Sequence, residues 1–168
     1  MPDTVPASVE PAAGIKSSEP QAVDGCRLSG ELYGAIEGDI DWQAADLSCE
    51  GMPRPAGAGA RLRFAGPHPA GGGTLAVIVA LPAYARDTLA ESLDSRITMI
   101  EEGNGRFFAA NEAGSCWVDV LAVASLDEDR DLATGRLYCI DPLGEINGST
   151  SLTVPELEFS GLIDWSAS

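Results

Sequence analysis

The sequence predicts an all-β domain, an antiparallel β-sandwich of about eight or nine strands, with a small closed β-barrel as the alternative. Three observations carry this. From Cys26 onward the dominant signal is alternation of apolar and polar residues with period two. Clusters of Gly and Pro and two Asn-Gly pairs separate the alternating runs. Only one short stretch has helical spacing.

The first run, 31–42, places Leu32, Gly34, Ile36, Gly38, Ile40 and Trp42 on one face and Glu31, Tyr33, Ala35, Glu37, Asp39 and Asp41 on the other. It reads as one long strand with a buried and a wet face. After a turn at Ala44 and Ala45, residues 46–50 form a short partner, ended by the Gly/Pro stretch 51–59. Residues 61–64 alternate, and the loop 66–73, GPHPAGGG, stops them. Residues 74–81 are apolar and β-branched, a central strand. Pro82 to Leu93 is the helical candidate, with Pro82 near its first position and Leu89 and Leu93 four apart; an extended surface loop is the alternative.

Residues 95–111 form the clearest hairpin, turning at Gly103, Asn104 and Gly105. Residues 117–126 make another central strand, 127–131 (DEDRD) a solvated turn, and 135–140 a returning strand. Asn147-Gly148 turns the chain into 152–165. There Leu152 and Val154 are out of phase with Leu157, Phe159, Ile163 and Trp165, which predicts a bulge near Pro155. The endings GDIDW (38–42) and GLIDW (161–165) suggest two strands in similar surroundings.

At 168 residues and 45% hydrophobic, the chain suits one domain, taken as 26–168. Residues 1–25 carry Pro2, Pro6, Pro11 and Pro20 and lack apolar periodicity, so they read as a tail or tether. No apolar run approaches the roughly 20 residues of a spanning helix. The formal net charge of −16, with Lys16 as the one lysine, argues against nucleic acid and anionic membrane surfaces as partners.

Cys26, Cys49, Cys116 and Cys139 lack metal-site spacing. The reading adopted is two disulfides, Cys26 with Cys49 and Cys116 with Cys139. Disulfides point to an exported protein, periplasmic, secreted or on the cell surface, whose signal segment is absent from this chain and whose tail tethers it.

Chemistry-bearing patterns are sparse. His68, between two prolines, reads as an exposed loop residue. Asp39 and Asp41, with Glu156 and Glu158, offer carboxylate pairs for a small hydrolase if their strands adjoin. Asp127, Asp129 and Asp131, with Asp119 or Asp141 near, offer oxygen ligands for calcium, against a motif mismatch and the central Arg130. Tyr33, Trp42 and Trp165 are the aromatic candidates for a carbohydrate or protein surface. The phase of the two tryptophans assigns them to the core, and that of Tyr33 exposes it. No catalytic set and no cofactor is assigned. The resulting expectation is a non-enzymatic extracytoplasmic binding or structural module, with a calcium-stabilised interaction domain or a carboxylate hydrolase as alternatives.

Overall fold

The computed structural model describes residues 25–43, 45–55, 58–110 and 114–167. The expected tail over 1–25 therefore lies, apart from Gly25, outside the described residues. Twelve strands form: β1 (Arg27–Gly34), β2 (Gly38–Trp42), β3 (Ser48–Pro53), β4 (Ala60–Pro67), β5 (Thr74–Leu81), β6 (Ala90–Glu101), β7 (Arg106–Ala109), β8 (Cys116–Ser125), β9 (Arg130–Cys139), β10 (Leu143–Glu145), β11 (Ser151–Thr153) and β12 (Leu157–Asp164). All pair antiparallel, in the order β3-β4-β5-β6-β7-β10-β11-β1-β12-β9-β8. β2 lies on the other side of β1, and β8 also pairs with the first half of β6. The fold is all-β and sandwich-like, as the alternation predicts.

Among the described residues twelve strands arise where eight or nine were expected, because two expected strands each divide and β10 is added. The run 31–42 is a hairpin: Leu32 pairs with Gly38, and Gly34, at φ +98°, takes a backbone conformation that a side chain would strain. Leu32, Ile36, Ile40 and Trp42 are still buried together, so the phase was right although the continuity was not. Residues 152–165 divide at Pro155 into β11 and β12, both paired with β1. Gly30 pairs with Leu157 and Tyr33 with Thr153, so three steps on β1 match four on the other chain segment. That extra residue is the bulge the phase change requires.

Three boundaries are corrected. Residues 82–93 form no helix; turns and extended chain lead into β6 at Ala90, because the partial stripe is too short to nucleate against sheet pairing. Gly51 continues β3 instead of ending it. Its missing side chain lets β3 lie directly on the β12 backbone at Leu162, where a Cβ would overlap the carbonyl oxygen. β9 begins at Arg130, so Asp131 belongs to a strand and is buried, not part of a solvated turn. Among the described residues no helix is long and apolar enough to cross a membrane.

The core lies where β3 and β4 fold over β1 and β12. Phe64 and Phe159 meet there with ring centroids 6.1 Å apart, among fully buried Leu28, Leu75, Met99 and Phe108. The two Ile-Asp-Trp strands flank β1 on opposite sides, with Leu28 paired to Trp42 on one and Phe159 on the other. Both disulfides form as expected. Cys116 and Cys139 face each other across β8 and β9, and Cys26–Cys49 ties the start of β1 to β3.

Candidate functional site

Trp165 follows directly on the end of β12. The backbone N–H of Trp165 donates to the carbonyl of Asp129 (2.7 Å), one step past the last β12–β9 pair, Asp164 with Arg130, and in the same register. The indole is only partly buried. The core assignment of Trp165 holds only in part: the ring packs against the margin of the core and stays partly open. The ring stacks on Tyr84, centroids 6.2 Å apart at 26°, and its Nε1–H donates to Asp131 (3.1 Å).

Tyr84 comes from the 82–89 segment that the sequence left between helix and loop. Its hydroxyl donates to the carbonyl of Thr88 (3.0 Å), closing the segment into a compact turn, and its burial pushes the phenol pKa up. Arg86 on the same turn lies over the indole, its guanidinium carbon 5.8 Å from the ring centroid. It donates to the carbonyl of Glu128 (2.5 Å) and stands 3.6 Å from the Asp131 carboxylate. Tyr84, Arg86 and Trp165, together with Pro53, Gly59 and Pro82, line a cleft of about 450 Å³. That volume falls in the range of small-ligand sites, and an apolar lining with a few fixed polar groups is their usual chemistry.

The other aromatic candidates separate cleanly. Trp42 is 3% exposed, and its Nε1–H donates to the carbonyl of Pro67 (3.0 Å), so it packs the core and presents no surface to a ligand. Tyr33 is 46% exposed, as its phase requires, and donates to Glu31 (2.5 Å). Asp39 and Asp41 are exposed beside it on β2. Their strand does not adjoin β12. β1 intervenes, with Ser29 paired to Asp41 on one side and to Glu158 on the other. The backbones of Asp41 and Glu158 are therefore two strand spacings apart, about 10 Å.

The three calcium candidates diverge. The Asp127 carboxylate accepts the backbone N–H groups of Asp129 and Arg130 (2.9 Å each) and the Arg130 side chain (2.7 Å), a pairing that holds its pKa below the ordinary carboxylate range. Asp131 turns inward to Trp165 and Arg86, away from Asp127. Among the described residues no group of three or more metal-type side chains converges.

A second polar cluster escaped the sequence reading. Glu101, at the end of β6, is 3% exposed, and both its oxygens are occupied: Arg106 and Asn104 hold Oε1, while Arg106 and His68 (2.7 Å) hold Oε2. His68 is consequently not an exposed loop residue. Its Nδ1 accepts the N–H of Ala70 (3.1 Å), which places the ring proton on Nε2, facing Glu101. With both nitrogens engaged, the imidazole pins the 66–73 loop and offers no lone pair for catalysis.

The Arg106 hydrogen bonds above all, supported by His68 and Asn104, draw the Glu101 pKa down to about 2 from an ordinary 4.5. A depressed folded-state value stabilises the fold above the unfolded pKa, and that contribution fades as pH falls from 4.5 towards 2. Glu101→Gln is expected to destabilise the domain at neutral pH, with the gap to wild type closing across that acid window in urea titrations. A gap independent of pH contradicts the ion-pair assignment.

Compared with known protein families, curated proteins and solved structures, the chain matches none. The sites therefore rest on their own geometry.

Proposed function

We propose that this domain is a non-enzymatic binding module that works outside the cytoplasm and seats a neutral carbohydrate in the Tyr84–Arg86–Trp165 cleft. The carrying observation is that Trp165, unlike Trp42, is left partly open at a cleft lined by prolines, with the buried Tyr84 ring stacked behind it. The Trp165 ring takes up the apolar face of a sugar, while the Arg86 guanidinium supplies a polar edge for hydroxyl groups. At a net charge of −16 the surface repels anionic ligands and leaves neutral ones unaffected. The extracytoplasmic placement is supported by the two disulfides, which persist in oxidising compartments.

Neutral oligosaccharides of glucose, N-acetylglucosamine and mannose, titrated against tryptophan fluorescence, test the reading. Saturable quenching in the wild type, abolished in Trp165→Ala and retained in Tyr33→Ala, is the expected outcome. Binding that survives Trp165→Ala, or no binding by any of the three series at millimolar sugar, counts against it. The hydrolase alternative has less support, since Asp41 and Glu158 are held apart across β1 and both are open to solvent.

A further inference from the structure

Residues 127–131, DEDRD, read in the sequence as a solvated turn, yet two residues of the cleft hold on to them. Arg86 donates to the carbonyl of Glu128 (2.5 Å), and the backbone N–H of Trp165 donates to the carbonyl of Asp129 (2.7 Å). A peptide unit is planar and trans, so its C=O and the N–H of the next residue point in opposite directions and turn together. The Glu128 carbonyl shares its plane with the N–H of Asp129, and the Asp129 carbonyl shares its plane with the N–H of Arg130. Both of those N–H groups donate to the same atom, Oδ1 of Asp127, at 2.9 Å. The other carboxylate oxygen, Oδ2, accepts the Arg130 side chain (2.7 Å). Two successive peptide planes are thus held at one edge by a single carboxylate and at the other by two residues of the cleft.

We propose that Asp127 is a positioning residue of the cleft, fixing Arg86 and Trp165 through these two planes although it lies outside the lining. For its ligand the proposal rests on the carbohydrate reading above; its geometry does not. Without the carboxylate each plane is free to rotate, and its carbonyl then moves off the guanidinium or off the Trp165 N–H. The Asp127 charge also polarises both planes, which makes the two carbonyls better acceptors. Asp131, at the far end of the turn, holds the same two residues by their side chains, accepting the Trp165 Nε1–H (3.1 Å) and facing Arg86 at 3.6 Å. Loss of the Asp127 carboxylate therefore displaces the indole without releasing it. The hairpin itself stays closed, because the N–H groups of Leu126 and Asp127 both donate to the carbonyl of Arg130 (2.8 and 3.3 Å).

Nitrogen–proton correlation spectra of the ligand-free full chain test the proposal. Asp127→Ala removes the acceptor of both N–H groups and is expected to displace the Trp165 indole signal, leaving those of Trp42 and Trp117 in place. Asp127→Asn keeps an oxygen at the Oδ1 position and is expected to restore the wild-type signal. Both variants keep the wild-type circular dichroism. Towards the neutral oligosaccharide that quenches wild-type fluorescence, Asp127→Ala is expected to lose about tenfold in affinity, the worth of roughly one hydrogen bond to a charged group, and Asp127→Asn to stay near wild type. A Trp165 signal that coincides in Asp127→Ala and wild type overturns the proposal. So does an asparagine variant displaced as far as the alanine one, or undiminished affinity in Asp127→Ala. If the wild type binds no neutral sugar, the carbohydrate reading fails and the indole signals alone decide whether Asp127 positions the cleft.

Discussion

Trp42→Ala is expected to lower the stability of the domain by about 3–5 kcal/mol, and Trp165→Ala by about 1–2 kcal/mol. Both tryptophans end an Ile-Asp-Trp strand, so their sequence context alone gives no reason for the difference. Trp42 lies within the β1–β2 ladder, buried against Gly66 of β4 and bonded to the Pro67 carbonyl. Its removal leaves a cavity in a core that cannot collapse around it and strips a buried carbonyl of its donor. Trp165 stands at the end of the ladder and is only partly buried; its loss exposes one face of Tyr84 and removes one partner of Asp131, while Arg86 remains beside that carboxylate. Urea unfolding of the two single variants measures the contrast. Equal losses place Trp165 in the core and remove the basis for a cleft.

Loss of the disulfides is the second large effect. Each bridge closes a loop with a sequence separation of 23, and its removal is expected to cost about 3 kcal/mol through the freedom restored to the unfolded chain. Cys26–Cys49 is the more consequential, because it clamps the first strand of the domain to β3, whose one strand partner among the described residues is β4. Cys116–Cys139 reinforces strands that already pair from end to end, with one bulge at Leu121. Cys26→Ser with Cys49→Ser should therefore loosen amide protection at β1 and β3 together, while Cys116→Ser with Cys139→Ser leaves the β8–β9 ladder protected. Hydrogen exchange of the two double variants distinguishes them, and uniform loss of protection in both contradicts the local reading. Intact mass should rise by four hydrogens on reduction of the native protein; native thiols open to alkylation would remove the support for an extracytoplasmic site.

Alternation made the strands legible and turns made their ends legible, but only where local chemistry decides. The phase of Leu32, Ile36, Ile40 and Trp42 placed their side chains correctly although the chain reverses within that run. The phase break between Val154 and Leu157 announced a bulge that the pairing with β1 contains. Features set by partners distant in sequence were not legible. Gly51 resembles a strand terminator until β12 lies across it, and His68 resembles a loop residue until Glu101 is brought beneath it. The cleft shows the same limit. Trp165 was visible as an aromatic residue, whereas Tyr84 and Arg86 gain their meaning from a turn that only tertiary packing defines. The buried Asp131 looked like one acid among several in DEDRD because its inward phase depends on β9 starting at Arg130.

The claim that the cleft is the ligand seat is tested most directly by the three tryptophan indole signals in a nitrogen–proton correlation spectrum of the labelled domain. On addition of a neutral oligosaccharide that quenches fluorescence, the account predicts a saturable shift of the Trp165 indole, with Trp42 and Trp117 unmoved. A shift confined to Trp117, or movement of none of the three under saturating sugar, would contradict it.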